Sequence, residues 1–114
     1  MIQLARPSRV GDALARLGAG FVPERARGIR ATVEWLLATG GGFERVQMRI
    51  ENGSLSFPDD WHRPVLTVTV ALADLDDLLD GRARATDLFM RRRLTLSGDV
   101  LLAARLPHLL GVSP

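Results

Sequence analysis

Along the middle of the chain, apolar and polar residues alternate with a period of two. Ala31, Val33, Trp35 and Leu37 are interleaved with Thr32, Glu34, Leu36 and Ala38, which predicts a strand. Gly40 to Gly42 supply a turn into the most regular segment of the chain. There Val46, Met48 and Ile50 point one way, and Arg45, Gln47, Arg49 and Glu51 the other. Asn52-Gly53 is a two-residue hairpin signal, because both central positions of such a turn need positive φ; it leads back into Leu55 and Phe57. Pro58-Asp59-Asp60 marks a further turn before Leu66, Val68 and Val70. Strands with one polar and one apolar face predict an antiparallel sheet that is wet on one side and packed on the other.

The flanking segments change period. Ser8 is placed to N-cap a short helix carrying Val10, Leu14 and Leu17 on one face, with Gly18 and Gly20 ending it. Pro23 and Glu24 suit the start of another helical turn, and Gly28 marks its end. Beyond the strands, Asp74 reads as an N-cap with Asp77 in a capping-box position, Leu75, Leu78 and Leu79 as the buried stripe, and Gly81 as the stop. A second short helix follows over Ala85 to Arg91, then a strand over Arg93 to Ser97 with Leu94 and Leu96 inward. Asp99 caps the last helix, whose Pro107 is expected to end or kink it near Leu106. That helix, VLLAARLPHLL, is apolar on nearly every side, so it is either buried all round or covered by a ligand or partner.

The expected architecture is therefore α+β: a meander of four or five mostly antiparallel strands with helices gathered on one face. Residues 1–30 read as an N-terminal helical segment and 31–114 as the main body of a single globular domain. A chain of 114 residues can bury roughly two-thirds of its unfolded surface, so a real core is available.

Composition alters this picture little. The computed pI of 10.9 suggests a nucleic-acid partner, but the net charge is only +2. All 15 basic residues are arginines and there is no lysine, tyrosine or cysteine, so nothing else titrates at high pH to hold the pI down. Nucleic acid is not the expected partner. The lack of cysteine excludes disulfides and thiol chemistry. No apolar run is long enough to span a bilayer, and the first twenty residues lack the apolar core of a signal peptide, so a cytoplasmic location is expected.

Several short motifs in order carry a family resemblance. They are the Glu51-Asn52-Gly53 turn, the T-V-T strand at Thr67 to Thr69, and the A-D-L-D-D-L-L-D-G segment from Ala73 to Gly81. The Leu88-Phe89 pair and L-T-L-S-G-D from Leu94 to Asp99, directly before the last helix, complete the set. Over about residues 30 to 110 the chain resembles the sterol carrier protein type two family. The resemblance implies a five-stranded sheet whose helices enclose an apolar cavity for an acyl chain, isoprenoid or sterol-like lipid, with no catalysis and no cofactor. At Arg91-Arg92-Arg93 the eukaryotic carriers' pattern would place a glycine and a lysine. The arginines are more similar to a bacterial branch that includes an accessory lipid-binding factor of ubiquinone biosynthesis.

On this reading the lipid-lining candidates are Trp35, Met48, Ile50, Val68, Leu75, Leu79, Phe89, Met90, Leu101, Leu102 and Leu106, each otherwise an ordinary core residue. Arg91 and Arg92 are candidates for an anionic headgroup or transient contact with a membrane surface; Arg93 enters the strand. Asp74, Asp76, Asp77 and Asp80 lack the glycine and terminal glutamate of a calcium loop and read as a solvated helix face, so no metal is expected. No nucleophile–base set can be assembled; Glu34, Arg49 and His62 are the only polar groups available to assist chemistry on an apolar substrate. The alternative to a carrier is an interaction or accessory module that docks on a second copy or a partner enzyme through Leu101, Leu102, Leu106, Leu109 and Leu110.

Overall fold

Every segment with period two enters one sheet. The structure, a computed structural model, describes residues 8–114. Helix α1 (Ser8–Gly20) precedes a short 3₁₀ turn (Pro23–Ala26), followed by β1 (Arg30–Thr39), β2 (Gly42–Glu51) and β3 (Ser54–Ser56). Strand β4 (Leu66–Ala71) runs straight into α2 (Leu72–Leu79), followed by α3 (Ala85–Met90), β5 (Leu94–Gly98) and α4 (Val100–Leu110). The Ser8 side chain, and with it the expected cap, lies outside what the structure describes. The α+β class and the predominance of antiparallel pairing hold.

The topology corrects the meander. The strand order is β3-β2-β1-β4-β5, with β4 parallel to β1 and all other pairs antiparallel. Parallel neighbours need a long crossover. Here the β2–β3 hairpin and the segment after it serve as that crossover, and Pro58-Asp59-Asp60 is part of it rather than a tight turn between neighbours. Asn52 (φ 49°) and Gly53 (φ 88°) form the predicted hairpin turn with both central residues at positive φ.

Register sorts the side chains. Ala31, Val33, Trp35 and Leu37 face the same way as their partners Ile50, Met48 and Val46 on β2 and Leu66, Val68 and Val70 on β4. Nearly all of these are buried, in one core with Leu17 of α1, Leu75 and Leu78 of α2, and Leu106 and Leu109 of α4. The opposite face is less wet than its polarity predicts: Thr32, Glu34 and Gln47 are buried there. Each is satisfied. Arg45 pairs with Glu34 at 2.6 Å, and Arg49 Nη1 donates to Thr32 Oγ1 at 2.9 Å. The Gln47 amide donates to the His62 carbonyl at 2.6 Å and accepts from the His62 N–H at 2.8 Å, which ties the crossover segment to the sheet.

Two helix boundaries also differ from expectation. Helix α2 starts at Leu72 with Ala71 as its N-cap, so Asp74 lies in the first turn rather than at the cap. Its carboxylate is buried and accepts from Arg93 through Nε (3.2 Å) and Nη2 (3.0 Å). Strand β4 feeds the helix without a loop, so the helix starts where the strand stops and the capping signal is overridden. Helix α4 likewise does not end at Leu106. A proline removes one hydrogen bond, whereas the last turn buries Leu109 and Leu110 and closes on Gly111 in the left-handed conformation (φ 68°).

Candidate functional site: an apolar cleft beside the last helix

Placement of α4 begins at its N-terminus. Asp99 Oδ1 accepts from the Leu102 N–H at 3.0 Å, the predicted cap, and the Asp99 N–H donates to the Val65 carbonyl at 2.8 Å. Leu102, Leu106, Leu109 and Leu110, at helical spacing, are the side chains the helix buries. At the far end α4 meets α1 closely: the Val22 N–H donates to the Leu109 carbonyl, and a Cβ on Gly20 would lie 2.5 Å from the Leu110 carbonyl oxygen.

A second side of α4 remains apolar. Val100, Ala103, Ala104 and Pro107 line a cleft of about 480 Å³ together with Leu106 and Leu110. Trp35, Val68, Leu94 and Leu96 contribute from the sheet, Leu78 from α2, and Ala85, Thr86 and Phe89 from α3. Val112 and Pro114 complete the lining from the C-terminal tail. This accounts for the apolarity of the last helix except at Leu101, which is exposed: one side serves the core and another the cleft. The volume lies in the range of small-molecule sites. Among the described residues no charged side chain lines it.

The tail is held in place by α3. Arg84, the N-cap residue, makes no side-chain capping bond; instead the N–H groups of Ala85 and Thr86 donate to the carbonyls of Ser113 (3.1 Å) and Pro114 (2.6 Å). Thr86 Oγ1 also donates to the Pro114 carbonyl. At its other end α3 closes with the paired bonds of a Schellman motif, Arg93 N–H to Leu88 O and Arg92 N–H to Phe89 O. Arg92 therefore occupies the left-handed position usually given to glycine, with φ 61°.

Comparison with known families matches residues 13–111 to the SCP-2 sterol transfer family. The chain belongs to that family. Comparison with the curated proteins finds no match. Among solved structures it is similar to the palmitated sterol carrier protein SCP2L2 of Aedes aegypti, with 24% identity, TM-score 0.70, and 92% of this chain and 93% of the other covered. It is also similar to sterol carrier protein domain 2 of Helicoverpa armigera (16% identity, TM-score 0.73, 93% and 90% covered). A third is the UbiJ-SCP2 ubiquinone synthesis protein (14% identity, TM-score 0.66, 92% and 94% covered). At these identities the structural likeness concerns the fold.

In this SCP-2 family member, Trp35, Val68, Phe89 and Leu106 of the candidate lining residues meet in the cleft. Met48, Ile50 and Leu75 are fully buried in the core away from it, and Leu102 packs inward from α4. Leu79 is half-buried against that core. Met90 (72% exposed) and Leu101 (78% exposed) point to solvent outside the lining. Missed by sequence as lining residues were Leu78, the β5 leucines Leu94 and Leu96, Ala85 and Thr86 of α3, Val100, Leu110 and the alanines and proline of α4, and the tail. A run of small residues opposite the leucine stripe of α4 was the available signal for the helix; the tail has none.

The acidic run is consumed by ion pairs. Asp74 holds Arg93, Asp76 holds Arg9, Asp77 holds Arg82, and Asp80 meets both Arg16 and Arg82. The Asp74 hydrogen bonds, reinforced by its charge, push the Arg93 guanidinium further up from its already high range. Arg91 and Arg92 are exposed, and no acidic side chain among the described residues pairs with them. Glu34 and Arg49 lie on the sheet face opposite Trp35, and His62 is bonded to Gln47 on that same far face. The three do not converge on the cleft. Among the described residues no helix is long and apolar enough to cross a membrane.

Proposed function

We propose that the protein binds an apolar lipid, an acyl chain, isoprenoid or sterol-like molecule, in the cleft between α3, α4 and β4–β5, without catalysing its conversion. The observation that carries this reading is a 480 Å³ cleft lined almost entirely by apolar side chains, with Phe89 and Val100 left exposed at its edge. Each methylene brought into it from water contributes ~0.8 kcal/mol, so a long chain binds well even after its ordering cost. Membership of a sterol transfer family supports it, as does the palmitate bound by two Aedes aegypti carriers of similar fold. Arg91 and Arg92, exposed and unpaired beside Phe89 and Met90, are positioned to meet an anionic headgroup or membrane surface, where each contributes about 1 kcal/mol. The reading extends to a cytoplasmic accessory protein that presents its lipid to a partner enzyme; one protein of similar fold is the UbiJ-SCP2 ubiquinone synthesis protein.

Native mass spectrometry of gently purified protein, followed by organic extraction, tests this directly. A stoichiometric lipid adduct is expected. An apo protein that also takes up no fluorescent fatty acid would overturn the carrier reading. One observation favours a second reading: Val100 and Leu101 stand exposed side by side at the start of α4, as a docking helix would present them. A dimer in light scattering that dissociates on Leu101→Asp supports that module; a monomer at every concentration removes self-association.

A further inference from the structure

Within the lipid-binding reading, which this inference rests on, the cleft also specifies one chemical feature of its ligand. Trp35 lines the cleft from β1 and is 4% exposed, yet its indole Nε1 is buried with no hydrogen-bond acceptor among the described residues. Its cross-strand neighbours, Val46 and Val68, have no polar side-chain atom to offer. The other polar side chain of the lining, Thr86, directs its hydroxyl to the Pro114 carbonyl. A buried indole N–H normally finds a partner, because leaving it unpaired forfeits the hydrogen bond it made to water in the unfolded chain. The uncommitted donor thus belongs to a side chain that lines the cleft, but the N–H itself is closed over in the empty protein, while the edge carries Phe89 and Val100.

We infer that the bound molecule carries a neutral oxygen acceptor, such as a carbonyl, ester or hydroxyl oxygen, and that the lining yields on binding so that this oxygen takes the Trp35 Nε1–H. Charge decides against an ionised group there. No cationic side chain among the described residues lines the cleft, so a buried carboxylate would lose its hydration against a single neutral donor. An ionised headgroup belongs outside, toward the arginines that follow α3. The ligand class is accordingly a long apolar molecule with neutral oxygen at the end that enters, in contrast to a pure hydrocarbon or a fatty acid inserted carboxylate first.

The test uses a chain-matched set, dodecane, methyl laurate and laurate, on the full chain carrying Trp61→Phe. Trp61 is exposed and outside the cleft, so its replacement leaves Trp35 as the sole indole in proton–nitrogen NMR spectra. Methyl laurate is expected to bind about two- to tenfold more tightly than dodecane, the worth of one hydrogen bond, and to move the Trp35 indole proton downfield. Trp35→Phe equalises the two ligands. Ionised laurate, its carboxylate kept outside, is expected to leave the Trp35 indole signal where dodecane leaves it. Equal affinity for dodecane and methyl laurate with an unmoved indole signal overturns the inference and leaves lipid binding standing. So does an indole proton that cross-relaxes with water and keeps that contact when ligand is bound. Failure of all three ligands to bind overturns lipid binding itself. Should Trp35→Phe not fold, the two affinities and the indole signal of the Trp35-containing protein still decide.

Discussion

Gly98→Ala is the substitution whose cost the structure specifies most directly. Gly98 ends β5 opposite Leu66 and has φ +114°, a conformation that L side chains rarely adopt. A Cβ there would lie 2.3 Å from the Val65 carbonyl oxygen and 3.1 Å from both Val65 C and Leu66 Cα, all backbone atoms that no rotamer change can move. That same oxygen accepts from the Asp99 N–H at 2.8 Å, and the Val65 N–H is bonded to Thr32 O at 2.9 Å, so relief in either direction breaks a backbone hydrogen bond. Left-handed strain of about 1–3 kcal/mol and one lost hydrogen bond of about 0.5–1.5 kcal/mol together predict a loss of about 3 kcal/mol. In a domain of this size that lowers Tm by on the order of 10 °C. Urea and thermal denaturation followed by circular dichroism measure it, with Gly40→Ala as control, because nothing lies within 4 Å of a Cβ there. The displaced backbone leads directly into the Asp99 cap, so α4 and the lipid affinity of the cleft it lines suffer as well. A Gly98→Ala protein within about 0.5 kcal/mol of the parent would refute the steric reasoning.

Other substitutions probe the cleft and its surroundings. Ala103→Asp places a carboxylate among the apolar lining residues; the half-exposed site keeps that charge hydrated in the empty protein, so stability changes little, while lipid affinity measured by fluorescent fatty-acid displacement drops at least about tenfold. Arg92→Gly relieves the left-handed residue that closes α3 and is expected to raise stability by about 1 kcal/mol; an unchanged urea midpoint argues against strain there. Arg91→Glu with Arg92→Glu should abolish sedimentation with anionic vesicles and leave the melting curve in place, whereas undiminished sedimentation removes the headgroup role. The hydrogen bond from Arg30, followed by the charge of Arg49, holds the Glu51 carboxyl below its ordinary value of 4.5. Stability from that pair is complete above pH 4.5 and disappears as pH falls through the lower folded-state value. Glu51→Gln should flatten that part of the acid unfolding curve, and an identical acid limb contradicts the pairing.

The sequence determined what depends on neighbours along the chain. Period-two alternation located the strands, Asn52-Gly53 the hairpin turn, Gly81 the stop of α2, and Asp99 the start of α4. The apolar surplus of the last helix signalled that something besides the core had to meet it. The ordered short motifs indicated the family, which the match over residues 13–111 bears out. The tertiary structure decided what depends on neighbours across it. Parallel pairing of β1 with β4 leaves no local mark, because an apolar strand alternates identically whichever way its neighbour runs. Asp74 has the sequence signature of a cap, yet the carboxylate is taken by Arg93 from the end of α3, a long-range pairing that the spacing of residues does not encode. Trp35, Met48 and Ile50 belong to the same apolar face by periodicity, but only Trp35 lies where α3 and α4 leave a cleft. Periodicity tells which side of a strand is dry. What lies against that side, packed core or open cleft, follows from how the helices are laid over the sheet.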